Sequence, residues 1–376
     1  MTQSRWAWAE IDLAAVQHNV GTLKARTKPG TLFMAVVKAD GYGHGAVQVA
    51  RAALTGGADR LGVATIDEAI ELREAGISSP IHLLSEPPET TVREILDRDL
   101  VPAVATREFA VALGKQALLR DKVAGYHLKI DTGMHRIGVR AEDAAEFARS
   151  LADFPGLLLT GTFTHFATAD VPGDWEVQSQ LERFERALRQ MRAEDVDPGV
   201  VHAANSPATI LYPESHFDMV RCGIAIYGLH PAESTYGVID LRPAMSVKAR
   251  VSFAKRINMG DGVSYGLTWH AAAPTQIATL PLGYADGVHR VCSNEMQVLL
   301  GGKRCRQVGR VCMDQLMVEV GRGERASRGD EAVLVGSQGA ETITMDQLAQ
   351  IAGTINYETA CAFGMRLERV YRSATN

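Results

Sequence analysis

Eight short apolar runs between residues 33 and 227 constrain this chain more than any other feature. They fall at 33–37, 61–64, 81–84, 101–104, 126–130, 157–162, 200–204 and 219–227. They are short and often apolar on both faces, as parallel strands buried beneath helices should be. Stretches of helical character separate them, among them 66–75, 107–119, 141–151 and 175–193. Eight strand–helix units predict an N-terminal (β/α)8 barrel, and a doubly wound sheet is the other arrangement of the same units. Before them lie a short strand at 6–11 and an amphipathic helix at 13–25.

Past residue 231 the texture changes. Apolar runs at 247–253, 276–280, 296–300, 305–311, 316–320 and 332–335 follow one another with little helix between. Pairs such as Gly260-Asp261, Gly301-Gly302 and Gly329-Asp330 punctuate them, the turn chemistry of a compact antiparallel β domain. One helix at 345–351 and a closing strand at 366–371 complete it. The predicted division is therefore a barrel over 11–235 and a mainly antiparallel β domain over 236–376, with the strand within residues 1–10 packing on the latter.

Hydrophobic residues make up 46% of the 376 and charged residues 22%, an ordinary globular composition. A net charge of −5 without a Lys/Arg block gives no electrostatic footprint for nucleic acid. No run is long enough to span a membrane, and the first residues lack the apolar core of a secretory signal. Five cysteines with no Cys-x-x-Cys pair form neither a disulfide framework nor a zinc site, so no metal is expected. A reducing cytoplasm is the expected location.

The first barrel run ends at Lys38, followed by Ala39-Asp40-Gly41-Tyr42-Gly43-His44-Gly45. A strand would deliver Lys38 to its C-terminal end, where barrels place their chemistry. Burial disfavours a charged amine and makes it a nucleophile or base. Three places suit an anion. Tyr42 offers a hydroxyl, and Asn205-Ser206-Pro207-Ala208 opens a helix after the seventh strand. At the eighth, Gly223 in Arg221-Cys222-Gly223-Ile224 lets backbone amides approach a ligand. Loops after strands seven and eight are the usual phosphate site of a barrel. A phosphate site beside a nucleophilic lysine points to pyridoxal 5′-phosphate held as a Schiff base.

The run Ala35-Val36-Val37-Lys38-Ala39-Asp40-Gly41-Tyr42-Gly43-His44-Gly45 resembles the cofactor-binding signature of alanine racemases. The resemblance covers nearly the whole chain. It takes in Trp8-Ala9-Glu10-Ile11-Asp12-Leu13, Lys129-Ile130-Asp131-Thr132-Gly133-Met134-His135-Arg136 and Thr164-His165-Phe166-Ala167-Thr168-Ala169. It continues through Arg221-Cys222-Gly223-Ile224, Val263-Ser264-Tyr265-Gly266, Gly309-Arg310-Val311-Cys312-Met313-Asp314 and Ile355-Asn356-Tyr357-Glu358. The chain departs from the family near Met365 and Glu368, where relatives usually carry prolines.

The resemblance implies an isomerase that interconverts L- and D-alanine through a pyridoxal 5′-phosphate external aldimine, supplying D-alanine for peptidoglycan. Removing the α-proton on one face and returning it on the other is simplest with two fixed bases. The resemblance implies that these are Lys38 and Tyr265. A tyrosine phenol ordinarily titrates near about 10, so a tyrosine base needs neighbours, implied to be His165 with Arg221 behind it. Arg221 is implied to face the pyridine nitrogen, where a permanent cation disfavours ring protonation. Arg136 is implied to contact the substrate carboxylate, supported by a carbamylated Lys129. Tyr42, Asn205, Ser206, Gly223, Ile224 and Tyr357 fall to the cofactor, and Met313, Asp314 and Tyr284 to the substrate entrance. The implied assembly is a head-to-tail homodimer with shared active sites. The alternatives are a broad-specificity racemase, a barrel-type decarboxylase and a PLP-carrier protein. Arg221 argues against the decarboxylase, whose pyridine nitrogen faces a carboxylate. The long second domain argues against the carrier.

Overall fold

The computed structural model describes residues 5–321 and 324–372. The described chain divides into two compact units: residues 15–41 with 46–242, and residues 5–14 with 42–45 and 243–372.

The first unit is built on eight parallel strands. They are β1 (Leu32–Val36), β2 (Arg60–Val63), β3 (Ile81–Leu83), β4 (Leu100–Val104), β5 (Ala124–Asp131), β6 (Leu157–Phe163), β7 (Val200–His202) and β8 (Met219–Cys222). They neighbour one another in the order β8-β1-β2-β3-β4-β5-β6-β7. The amides of Asp218 and Arg221 donate to the Val201 and Ala204 carbonyls at 3.0 and 2.9 Å, drawing β8 against β7. This is the predicted (β/α)8 barrel, nearly closed. Its helices are α1 (Leu13–Lys24), α2 (Ala46–Thr55), α3 (Ile66–Glu74), α4 (Val92–Asp97), α5 (Arg107–Leu118), α6 (Ala144–Ala152), α7 (Trp175–Ala193) and α8 (Ser206–Leu211).

Local sequence sets these helix starts. Thr106 caps α5 by accepting from the Phe109 amide, and Asp174 caps α7 by accepting from Glu176. Within α1, buried Asn19 donates to the Ile226 and Arg242 carbonyls at 3.1 and 2.8 Å and accepts from the Arg242 amide. The predicted strand 219–227 is corrected. It stops at Cys222, and Ile224–Tyr227 coils into a 3-10 turn that is buried throughout. A fully apolar run carries no periodicity to separate strand from buried turn.

The second unit is a mainly antiparallel β fold. One sheet runs in the order Lys303–Arg306, Gln297–Leu300, Glu331–Gln338, Met245–Arg250, Ala7–Asp12, Glu368–Arg372. A second contains Phe253–Ile257, Thr275–Leu280 and Leu316–Val320. Strand Ala7–Asp12 pairs antiparallel with Met245–Arg250 and parallel with Glu368–Arg372. The run 247–253 is not one strand, as predicted, but two in different sheets. The Val251 amide donates to Asp330 and the next, Ser252, to Thr279. Besides the predicted helix Met345–Ala352, a helix at Asn356–Ala362 carries Tyr357. No helix among the described residues is long and apolar enough to cross a membrane.

Candidate active site

Lys38 follows β1 after one residue, Val37. The Val37 amide donates to the Gly62 carbonyl at 2.9 Å, and the Tyr227 hydroxyl to that of Val36 at 3.0 Å, so the strand end is fixed. The glycine-rich loop is then a single left-handed turn. Ala39, Asp40, Gly41, Tyr42 and Gly43 have φ of 53, 51, 59, 51 and 79°. For an L-residue this conformation costs roughly 1–2 kcal/mol, and three of the five are not glycine. The turn is tied by the Gly41 amide donating to the Val37 carbonyl at 2.9 Å, and by Asp40 Oδ1 accepting from the Ala46 amide at 2.9 Å.

Arg221, on β8, is 4% exposed. Its Nη1 donates to His202 Nδ1 at 3.1 Å. Its Nη2 donates to the Thr164 and Ala203 carbonyls at 2.8 and 3.0 Å and to His165 Nδ1 at 3.1 Å. Burial pushes the guanidinium down to about 9, which still leaves it protonated at neutral pH. No carboxylate is among these partners. His165 is held well below its ordinary range, by burial first and then by Arg221, Lys129, Arg136 and Lys38. Four basic side chains thus converge on this neutral ring at the barrel mouth. Lys129, 4% exposed on β5, is driven down by burial and by Arg221 and Arg136, with Asp131 opposing. Its Nζ lies 4.6 Å from the centre of the Phe163 ring. Arg136 is exposed in the loop after β5.

The loops after β7 and β8 meet. Asn205 Oδ1 caps α8 through the Ala208 amide at 3.1 Å. Buried Ser206 Oγ accepts from the Gly223 amide at 2.9 Å. Ile224 follows at the start of the 3-10 turn. Four basic side chains around His165, with the polar loops after β7 and β8, fit an anionic group of the class of pyridoxal 5′-phosphate.

In the second unit, the Tyr42 and Tyr357 rings lie 6.3 Å apart. Tyr265, 73% exposed, begins a 3-10 turn above an open groove of about 660 Å³ lined by Phe253, Ile277 and Met317. The preceding Ser264 has φ 66° and donates to the Arg310 carbonyl at 2.7 Å. Tyr284 and Met313 are both exposed. Their loops are docked through the Tyr284 amide on Cys312 O at 2.9 Å and the Ala285 amide on Met313 O at 3.1 Å. Asp314 pairs with Arg366 at 2.6 Å. The expected site residues therefore fall into two groups, one per unit. Lys38, Lys129, Arg136, His165, Asn205, Ser206, Arg221, Gly223 and Ile224 are in the barrel, and the rest are in the β unit.

Sequence reasoning missed the support behind Arg221. His82, His127 and His202 come from β3, β5 and β7, alternate strands that supply one interior layer of a barrel. His127 Nδ1 lies 2.8 Å from His202 Nε2, and Arg60 Nη1 lies 3.3 Å from His82 Nε2. A Cβ on Gly161 would fall 2.6 Å from His127 Nε2, so only glycine admits that ring. Gln180, fully buried on α7, accepts from the Ala167 amide and donates to the His165 carbonyl and Thr132 Oγ1. The only sequence signal for these was histidine recurring within apolar strands.

Models of the alanine racemase N-terminal and C-terminal domains match residues 11–231 and 244–371. The chain is 46% identical to the alanine racemase of Symbiobacterium thermophilum over 371 residues, 99% of this chain and 98% of that one. It superposes on the crystal structure of alanine racemase from Bacillus anthracis with bound L-Ala-P at a TM-score of 0.93, with 37% identity, covering 100% and 97% of the two chains. Histidine racemase from Leuconostoc mesenteroides aligns at a TM-score of 0.91 with 32% identity, covering 99% of each.

Proposed function

The chain belongs to the alanine racemase family, and from that premise we propose that it interconverts L- and D-alanine with pyridoxal 5′-phosphate, providing D-alanine for peptidoglycan in the cytoplasm. The observation that carries this reading is the company of Arg221: a buried cation whose acceptors are two carbonyls and two imidazoles. A decarboxylase on this barrel would set a carboxylate against the ring nitrogen instead.

When bound, the cofactor supplies a carbon for attachment of the substrate amine and a ring that withdraws electrons from the α-carbon. Lys38 Nζ anchors it, and then takes or returns the α-proton on one face. Arg221 would donate an N–H to the ring nitrogen and, being cationic, would disfavour protonation of that nitrogen. Asn205, Ser206, Gly223 and Ile224 hold the phosphate, joined by the hydroxyls of Tyr42 and Tyr357. Tyr265, contributed by a second copy of the chain in a homodimer, moves the proton at Oη on the opposite face. His165 serves that tyrosine through its tautomer. Nδ1 accepts from Arg221, so the hydrogen of the neutral ring sits on Nε2 and is available to a phenolate.

Arg136 binds the substrate carboxylate, a bidentate task suited to a guanidinium. Lys129, its amine favoured in the neutral form, adds to carbon dioxide with loss of one proton, and presents the resulting carbamate to Arg136. Tyr284, Met313 and Asp314 line the entrance. The division of labour runs between residues 11–235, which hold most of the cofactor, and 236–376, which carry the second base and Tyr357.

Purified chain incubated with pyridoxal 5′-phosphate and either enantiomer of alanine is expected to approach a racemic mixture from both sides, followed by chiral chromatography. No D-alanine from L-alanine would overturn the reading. Broader specificity is the second reading, favoured by the fold shared with a histidine racemase. L-histidine and L-serine in the same assay decide it.

A further inference from the structure

Glu68 sits on α3, in a different strand–helix unit from Lys38, and each of its carboxylate oxygens does a different task. Oε2 accepts from the Ala64 amide at 2.8 Å and the Thr65 amide at 3.2 Å. With Thr65 Oγ1 accepting from the Glu68 amide at 3.3 Å, this completes a capping box at the start of α3. Oε1 reaches away from the helix and accepts from the Ala39 amide at 2.7 Å. That N–H belongs to the Lys38–Ala39 peptide bond. Ala39 is also the first residue of the left-handed turn, with φ 53° and ψ 53°. A short bond from a carboxylate to an amide is among the stronger hydrogen bonds available to a backbone.

We infer that Glu68 is a positioning residue for Lys38: it clamps the peptide that follows the lysine and thereby fixes where Nζ emerges from the strand end. The inference rests on the reading of Lys38 as cofactor anchor and base. A base that must meet one proton in one direction gains from a backbone without play, and small misplacements of a reacting group cost large factors in rate. The bonds on the N-terminal side, from Val37 to Gly62 and from Tyr227 to Val36, are ordinary strand and core contacts. On the C-terminal side the Gly41 and Asp40 bonds tie the turn further along, and Glu68 restrains the Lys38–Ala39 peptide itself, where the backbone enters the left-handed region.

Helix capping and clamping separate by substitution. Glutamine serves a capping box as well as glutamate, but it carries one carbonyl oxygen. In E68Q that oxygen keeps the Ala64 and Thr65 amides, and the –NH2 group is turned on the Ala39 N–H, donor against donor. T65A removes the other half of the cap and leaves the clamp. Three measurements follow on the full chain. Titration of apo protein with pyridoxal 5′-phosphate, read by tryptophan fluorescence, is expected to show about tenfold weaker binding in E68Q and wild-type binding in T65A. The kcat for alanine falls about tenfold in E68Q with KM within about twofold. Hydrogen exchange at the Ala39 amide speeds up in E68Q and not in T65A. A wild type that binds and racemises, with E68Q matching it or T65A sharing the E68Q defect, overturns the clamp alone. A wild type that neither binds the cofactor nor racemises overturns the functional reading and the positioning role with it.

Discussion

His127 Nδ1 and His202 Nε2 stand 2.8 Å apart inside the barrel, and that one contact fixes the protons of both rings. Arg221 can only donate, so His202 Nδ1 accepts and its hydrogen sits on Nε2. His127 Nδ1 must then accept, which leaves its own hydrogen on Nε2, an atom without a hydrogen-bond partner among the described residues. Both rings are therefore neutral and of one tautomer.

This pair predicts acid sensitivity. Burial, with Arg60 and Arg221, pushes His127 down to about 3. His202 is also depressed, by burial first and then by Arg221 and His127. An unfolded imidazole binds its proton near about 6.5. Below that pH the unfolded chain holds more protons, so stability is full above it and is lost as pH falls toward 3. Each such histidine steepens the profile by up to about 1.4 kcal/mol per pH unit. Urea unfolding at pH 7.5, 6 and 5 should show this slope reduced in His127→Asn, which keeps an acceptor for His202 but cannot titrate. An unchanged slope would contradict the assignment.

Lys129 is expected to carry a carbamate, because burial and two neighbouring guanidinium groups favour the neutral amine that adds carbon dioxide. Protein equilibrated with 13C-labelled bicarbonate should give a carbamate resonance that is absent from Lys129→Ala. In that variant Arg136 loses its anionic support, and KM for L-alanine should rise about tenfold, equivalent to about 1.4 kcal/mol. A wild-type spectrum without the resonance would remove the modification and its role together.

The loop carrying Tyr284 tolerates no side chain at its first position. A Cβ on Gly283 would lie 2.1 Å from the Cys312 carbonyl oxygen and 2.6 Å from that of Met313. Fully buried Asp286 holds the same loop, pairing with Arg5 at 2.5 Å and accepting from the Gly283 amide at 2.9 Å. Gly283→Ala should cost about 1–3 kcal/mol of stability and raise KM for alanine by shifting Tyr284 from Met313. Thermal unfolding and initial rates test both. A variant with wild-type KM would show that the entrance does not depend on this contact.

The elements legible in the sequence were those whose signal is local. The run at 33–37 announced a strand because both of its faces are apolar, and Lys38 stood out by ending it. What was missed depends on register between distant strands or on backbone sign. Nothing local tells that His82, His127 and His202 share a layer, since each looks like one polar residue in an apolar strand. Ala39 and Asp40 carry no mark of a left-handed turn, which glycine alone would suggest. Thr65-x-x-Glu68 was readable as a helix start, but the second oxygen of Glu68 acts on a residue 29 positions away. The helix Asn356–Ala362 has no side-chain cap on Ile355 to announce it.

Tyr265 lies in the β unit and Lys38 in the barrel, and the two-base reading assigns them to different copies of the chain at each site. Tyr265→Phe removes the ionisable group and keeps the ring. It should lower racemisation by at least about a hundredfold, the usual scale for losing a general base, while leaving cofactor binding intact. Lys38→Ala should abolish both activity and the visible absorption of the bound cofactor. Neither variant alone separates a shared site from a self-contained one, but a mixture does. In a heterodimer of the two variants, one site has both mutations and the other has neither, if Lys38 and Tyr265 come from different copies. Equal amounts, dissociated and reassembled, should then recover about a quarter of wild-type activity, since half the dimers are mixed and each has one intact site. If both bases come from one copy, every site lacks one of them and the mixture stays as inactive as its parents.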